Sequence, residues 1–180
     1  GRQYISTPLV EGSGSRIFKE SFEGLVISNT DISNTTIVAA YVDKEQYRTN
    51  IASGGTEVKE VSDFEQIQDG AYTVYVNNKS IEDLTVDAQY ALINSDTNTA
   101  DDTKAFYAAG SYNLSPFTIE TQTYQTDNGN AVNSKGSAYG VNLLGNFDKL
   151  SLGVAYSIVD KDANIINGIG NGADYLYTGT

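Results

Sequence analysis

The sequence predicts an all-β chain: an antiparallel, up-and-down sheet of the kind that forms a transmembrane β-barrel. Three observations predict it. Four short stretches repeat one pattern: Ile32-Ser-Asn-Thr-Thr-Ile37, Ile81-Glu-Asp-Leu-Thr-Val86, Leu114-Ser-Pro-Phe-Thr-Ile119 and Phe147-Asp-Lys-Leu-Ser-Leu152. Each is an apolar residue, two turn-type residues and a strand start, and they recur at offsets of 49, 33 and 33 residues, the mark of a repeated hairpin. The strands after these turns alternate with period two, as a sheet with two unlike faces requires. The connections are unequal, with tight turns at the repeats and longer polar stretches at about 48–69, 96–102, 127–137 and 160–173. Short turns on one side and long loops on the other is the layout of an outer-membrane barrel.

Taken in order, a short strand ends near Ile5. Residues 6–20 contain Pro8, Gly12 and Gly14 and predict no regular structure. They also contain Leu9, Val10, Ile17 and Phe18, so this loop is expected to pack against something, which in a barrel is the inside of the wall. A strand over 22–28 carries Leu25 and Ile27 on its apolar face, and the next starts at Thr35 with Ile37, Ala39 and Tyr41 on that face. Val74 and Val76 mark a strand over 71–77. In 84–94, Leu84, Val86, Ala88, Tyr90 and Leu92 oppose Thr85, Asp87, Gln89, Ala91 and Ile93. A strand over 104–113 places Tyr107 and Ala109 on its apolar face. The strand from Phe117 places Ile119, Thr121 and Thr123 there, and 138–147 places Val141 and Leu143. In 150–159, Leu150, Leu152, Val154, Tyr156 and Ile158 oppose Ser151, Gly153, Ala155, Ser157 and Val159. A further strand is expected to begin near Asp174. The whole is a partial barrel of about 8–10 strands, each near the ~9–11 residues that a tilted membrane strand needs. Tyr41, Tyr90 and Tyr156 stand six residues after their strand starts, like an aromatic girdle at one membrane interface.

Composition removes several function classes. The formal net charge is −12, from 23 acids and 11 bases, and no basic patch stands out, so no nucleic-acid partner is expected. The chain has no His and no Cys, which removes most nucleophile–base pairs, and no catalytic residue is assigned. Asp160-Lys-Asp162-Ala-Asn164 imitates the start of an EF-hand loop. Its sixth position is Ile165 rather than Gly and its twelfth is Asn171 rather than Glu, so no metal site is assigned. Gly168-Ile-Gly170-Asn-Gly172 lacks the strand before and helix after that a dinucleotide fingerprint demands. It reads as a flexible loop, and no cofactor is expected. No apolar run approaches the roughly 18 residues of a membrane helix, a test to which barrels are blind. The chain starts without Met and ends in a Gly/Asn-rich stretch, so both ends are expected to be cuts within a longer protein. The competing architecture is a sandwich, which also alternates and would make the chain a soluble or surface β-sheet adhesin or binding protein.

The segments Gly1-Arg-Gln-Tyr-Ile-Ser-Thr-Pro-Leu-Val10, Gly14-Ser-Arg16, Phe22-Glu-Gly24 and Asn34-Thr-Thr-Ile-Val-Ala-Ala-Tyr41 resemble the OprD-type outer-membrane porins of Gram-negative bacteria. So do Tyr139-Gly-Val-Asn-Leu-Leu144 and Leu150-Ser-Leu-Gly-Val-Ala-Tyr156. The resemblance implies that residues 1–180 are an internal segment of a single porin barrel domain in the outer membrane, wider than this chain alone could close. It also implies an inward-folded constriction loop near residues 7–18, with Arg16 at the constriction and Ser15 and Glu20 beside it. The family often has Arg-x-x-Pro there; this chain has Lys19 in place of the Pro. The function implied is passive diffusion of small hydrophilic solutes, among them carboxylate-bearing nutrients or amino acids, with outer-membrane lipid around the wall. Whether the pore is a monomer or a trimer stays open. In the register above, Asp87, Gln89 and Glu120 face the lumen. A guanidinium in a narrow pore attracts carboxylates and can hold them bidentately. Read from the residues alone, Arg16 is rather an exposed loop arginine paired with Glu11 or Glu20.

Overall fold

The four repeated turns become four short hairpin turns at one end of a nine-stranded antiparallel sheet. In this computed structural model the described residues are 1–12, 19–46, 63–96, 101–129, 134–160 and 169–170. The strands are β1 (Arg2–Gln3), β2 (Ser6–Thr7), β3 (Val10–Glu11), β4 (Ser21–Asn29), β5 (Thr35–Gln46) and β6 (Phe64–Ile81). They continue with β7 (Leu84–Ile93), β8 (Thr103–Leu114), β9 (Phe117–Asp127), β10 (Lys135–Phe147), β11 (Leu150–Val159) and β12 (Ile169–Gly170). The large sheet runs β1-β4-β5-β6-β7-β8-β9-β10-β11, in chain order from β4 on, with β1 and β11 as open edges. β12, β3 and β2 form a second, three-stranded sheet. No helix occurs among the described residues.

Residue chemistry explains the turns. Asn34, Asp83 and Asp148 have φ of 55°, 61° and 51°, a left-handed conformation that Asn and Asp tolerate best after Gly. The first three turns are then each tied to the next hairpin. Lys79 N–H donates to Asn34 O at 2.8 Å, Asn113 N–H to Asp83 O at 2.9 Å and Asn146 N–H to Pro116 O at 2.9 Å. This linkage holds the turns together at one end. The first interval of the repeat is the longest because β5 and β6 run on beyond the expected strand ends, pairing Lys44 with Gln66, Glu45 with Glu65 and Gln46 with Phe64. Apart from Phe64 and Ile67 that extension is polar, so alternation did not reveal it. A register shift between Val42 and Lys44, and another between Glu23 and Gly24, re-aim the chain there. Gly24 is required at the second: a Cβ there would lie 2.0 Å from Tyr41 O.

The two faces differ as the alternation predicts. One carries Leu25, Ile27, Tyr72, Val74, Val86, Tyr90, Leu152, Val154 and Tyr156, all exposed, with Val154 at 71%. We call this the outer face. Among the described residues no second sheet covers it, so the sandwich architecture is ruled out. A soluble monomer rarely exposes an apolar surface of this extent. Tyr41 and Tyr72 pack 5.0 Å apart across β5 and β6, and Phe117 and Phe147 pack edge-to-face at 5.5 Å beside the turns. Beyond the apolar belt, Lys104, Asp127 and Lys135 form one outward row. The Asp127 carboxyl is held below the usual carboxylate range by the backbone amide of Gly129, 3.2 Å from Oδ1. One expected face is corrected. Tyr107 and Ala109 lie on the inner side, opposite Gln89 and Asp87, while Phe106 and Tyr112 face outward. Aromatic residues on both sides of β8 leave its alternation ambiguous.

The inner face carries the small sheet. Ile5, Val10 and Ile169 pack with Phe22, Ala40, Val42, Ile67 and Ala71, and Leu9 packs with Ala91, Ala105, Tyr124 and Ala138. The five inward alanines on β5, β6, β7, β8 and β10 leave room for the bulkier side chains of the inner segment. Gly12 closes that segment, its N–H donating to Ile5 O at 3.2 Å; a Cβ there would lie 2.4 Å from Glu20 O. Two sequence expectations are corrected here. Residues 6–11 are not irregular but form the short antiparallel pair β2–β3. Ile169–Gly170, expected as flexible loop, pairs in parallel with Val10–Glu11, its Ile169 buried among the apolar residues of β3 to β6. The strand expected near Asp174 lies outside the described residues.

Two outcomes follow. In the full-length barrel in phospholipid, Val154→Arg should lower unfolding stability by about 2–4 kcal/mol, whereas Ala155→Arg, one residue on and facing inward, should change it little. The reverse order would invert the assigned faces. Leu9 is fully buried, so Leu9→Ala should loosen the inner segment by about 2–5 kcal/mol. Amide exchange at Ile169, whose N–H donates to Leu9 O at 2.9 Å, should then accelerate, and unchanged exchange would contradict the packing described.

Candidate functional site

The functional candidate is the inner face of the wall together with the segment seated on it. β7 supplies its centre because its inward residues are Thr85, Asp87, Gln89, Ala91 and Ile93, polar toward the turns and apolar toward the long loops. Gln89 sits where the two halves meet and is 1% exposed. Its Oε1 accepts the Leu9 N–H at 2.8 Å. Its Nε2 donates to Thr7 Oγ1 on the segment and to Thr73 Oγ1 on β6, both at 2.8 Å. The amide therefore meets the inner segment rather than open lumen, although it points inward as its register requires.

Asp87 lies two residues nearer the turns. Its Oδ1 accepts the Tyr75 hydroxyl and the Asn77 side-chain amide, the latter at 2.9 Å. Glu120 on β9 accepts Asn142 Nδ2 at 2.8 Å. Both carboxylates are partly exposed on the inner face. Among the described inward residues of β7 to β11 they are the charged groups between the seated segment and the turns. Around them stand Thr85, Ser111, Thr118, Asn142 and Ser151, so this part of the wall is polar and acidic.

Glu20 is buried where the chain leaves the inner segment for β4, with its carbonyl against Gly12. Ser15 and Arg16 lie outside the described residues, as does the EF-hand-like stretch beyond Asp160. The structure thus brings Gln89 together with Thr7, Thr73 and Leu9, and leaves Asp87 and Glu120 as separate positions on the wall. Sequence reasoning missed Thr7, Thr73 and Ile169. The signal for Ile169 was an apolar residue in a Gly/Asn-rich stretch, the same kind of signal that marked Leu9 and Val10.

No protein-family model matches the chain, and no curated protein matches it by sequence. Solved structures match it by fold. OccK3 (OpdO) of Pseudomonas aeruginosa superposes with a TM-score of 0.74 at 14% identity, covering 100% of this chain and 48% of that one. OccK8 (OprE) of the same organism gives 0.66 at 17% identity, covering 100% and 52%. OccAB2 of Acinetobacter baumannii gives 0.60 at 16% identity, covering 90% and 44%. The chain spans about half the length of the structures it matches. Its open nine-stranded sheet, with an apolar outer face and a segment seated inside, has the fold of about half the wall of an OprD/Occ-type porin barrel.

Proposed function

We propose that this chain forms part of the wall and constriction of a passive channel for small hydrophilic solutes in a Gram-negative outer membrane. The observation that carries the reading is the pairing of a broad, predominantly apolar outer face with a segment fixed to the inner one. The first suits lipid, and the second narrows whatever path the wall encloses. A soluble or surface adhesin would need cover over the outer face. On this reading residues 1–180 are one stretch of a single barrel domain, and the loop near residues 7–18 is its constriction. The partners are outer-membrane lipid and the passing solute, and no reaction is involved.

Selectivity then comes from width and fixed charge. Ser15 and Arg16 belong to the stretch that the resemblance assigns to the constriction, and a guanidinium in a narrow path attracts carboxylates. Asp87 and Glu120 supply the opposite sign on the wall nearer the turns. A path with one cation followed by separated carboxylates suits solutes that carry both charges, so amino acids and other carboxylate-bearing nutrients are the solute class proposed.

The full-length protein reconstituted in planar bilayers should conduct, and absence of conductance would overturn the reading. Arg16→Ala should shift the reversal potential toward cation preference at low salt. Asp87→Asn combined with Glu120→Gln should shift it the other way. Both shifts should shrink at high salt, where the Debye length falls to about 3 Å at 1 M. Unchanged selectivity in the first variant would return Arg16 to the surface of the loop.

A further inference from the structure

We infer that the side-chain amide of Gln89 is the positioning device that fixes the inner segment on the wall and thereby sets the width and steadiness of the path. The contact stands on the geometry alone, whereas its consequence for conductance rests on the channel reading above.

The argument is a count of protons. Thr7 Oγ1 donates its hydrogen to Val10 O at 3.1 Å, and Thr73 Oγ1 donates its hydrogen to Tyr90 O at 2.9 Å. A hydroxyl has one hydrogen, so both threonines present only lone pairs to Gln89. Gln89 Nε2 has two hydrogens and lies 2.8 Å from each hydroxyl, so both are used. Leu9 is fully buried, out of reach of water, and its N–H finds its acceptor in Gln89 Oε1 at 2.8 Å. The site therefore asks for two donors and one acceptor on one planar group, which describes a primary amide. Leucine of similar size supplies neither. An ionised glutamate accepts from Leu9 but turns a second lone-pair oxygen toward the two hydroxyls. A protonated glutamate restores one of the two donors.

The amide also joins two parts of the chain that are remote in sequence. Thr7 and Leu9 belong to the inner segment, Thr73 and Gln89 to the wall, and Leu9 O accepts from Ile169 N–H at 2.9 Å on the far side. Leu9 still packs among Ala91, Ala105 and Ala138 without the clamp. Its loss should therefore leave the segment on the wall but free to shift along it. Unmet buried groups of this kind should raise the population of the shifted state on the order of ten- to a hundredfold.

The test uses the full-length protein in planar bilayers, with wild type, Gln89→Leu and Gln89→Glu at pH 5 and pH 9, and amide exchange at Leu9 read in parallel. The titratable groups that face this position from the packed strands are Asp87 on β7, Tyr75 on β6, Tyr107 on β8 and Tyr124 on β9; Glu11 on the segment pairs with Ser6 on its other side. With its proton, favoured toward the acid end, the introduced carboxyl offers one donor; without it, toward the alkaline end, it offers none. Gln89→Leu should show larger current fluctuations and faster Leu9 exchange at both pH values. Gln89→Glu should show them at pH 9 and approach wild type at pH 5, a reversal that a purely space-filling role does not produce. Variants as steady and as protected as wild type at both pH values would overturn the inference. Should Gln89→Leu not fold, Thr73→Val, which removes one acceptor, must loosen the segment or the inference fails. Should the wild type not conduct, the channel reading fails, and Leu9 exchange alone still decides the clamp.

Discussion

The structure depends on register. Nine strands pair without a crossover, and a side chain's face follows from whether its position is odd or even in its strand. A slip of one residue in any strand would turn its apolar set inward and its polar set outward. The chain guards against this at the turn end, where three backbone hydrogen bonds tie one hairpin's turn to the next hairpin's strand. The short turns themselves allow little choice of pairing. From this single constraint come both surfaces: an outer belt of Leu, Ile, Val and Tyr, and an inner wall whose alanines and polar residues can accept another piece of chain.

The inner segment is the second consequence. An inward face lined with bulky residues would fill itself. Ala91, Ala105 and Ala138 instead leave a bay that Leu9 fills, and Ala40 and Ala71 do the same for Val10. Apolar burial holds the segment close but is non-directional, so it cannot choose among neighbouring seats. The directional contacts come from Gln89, which belongs to the wall and matches the polar groups of Thr7 and Leu9. Packing thus supplies affinity, and the amide supplies position.

Much of this was legible in the sequence. The turn repeat and the alternation in residues 84–94 and 150–159 gave the topology, the turn end and the faces of Leu84, Asp87, Leu152 and Ser157. Leu9 and Val10 announced inward packing because apolar residues in a Pro/Gly-rich stretch need cover. The misses have physical causes. The ends of β5 and β6 lie past the apolar belt, where Phe64 and Ile67 are the large apolar residues and stand three apart, so no period-two pattern survives. β8 has Phe106 and Tyr107 side by side, so either face could have been the oily one. The pairing of Ile169 with Val10 joins residues at opposite ends of the chain, and no local signal encodes a partner so distant. Gln89 was placed correctly on the inner side, but its cover by Leu9 is a tertiary fact. Its inward position alone could not distinguish a lumen-lining amide from a buried clamp.

The central claim is that one face of this sheet meets lipid and the other meets a water-filled path. These 180 residues contain no Cys, so they add no background to a single introduced cysteine. In full-length protein inserted in membranes, Val154→Cys should resist a membrane-impermeant thiol reagent, and a fluorophore placed there should be quenched by lipid-borne quenchers. Ala155→Cys, the next residue on the same strand, should react with the reagent and escape the quencher. Reaction at 154 with protection at 155, or equal reaction at both, would contradict the account.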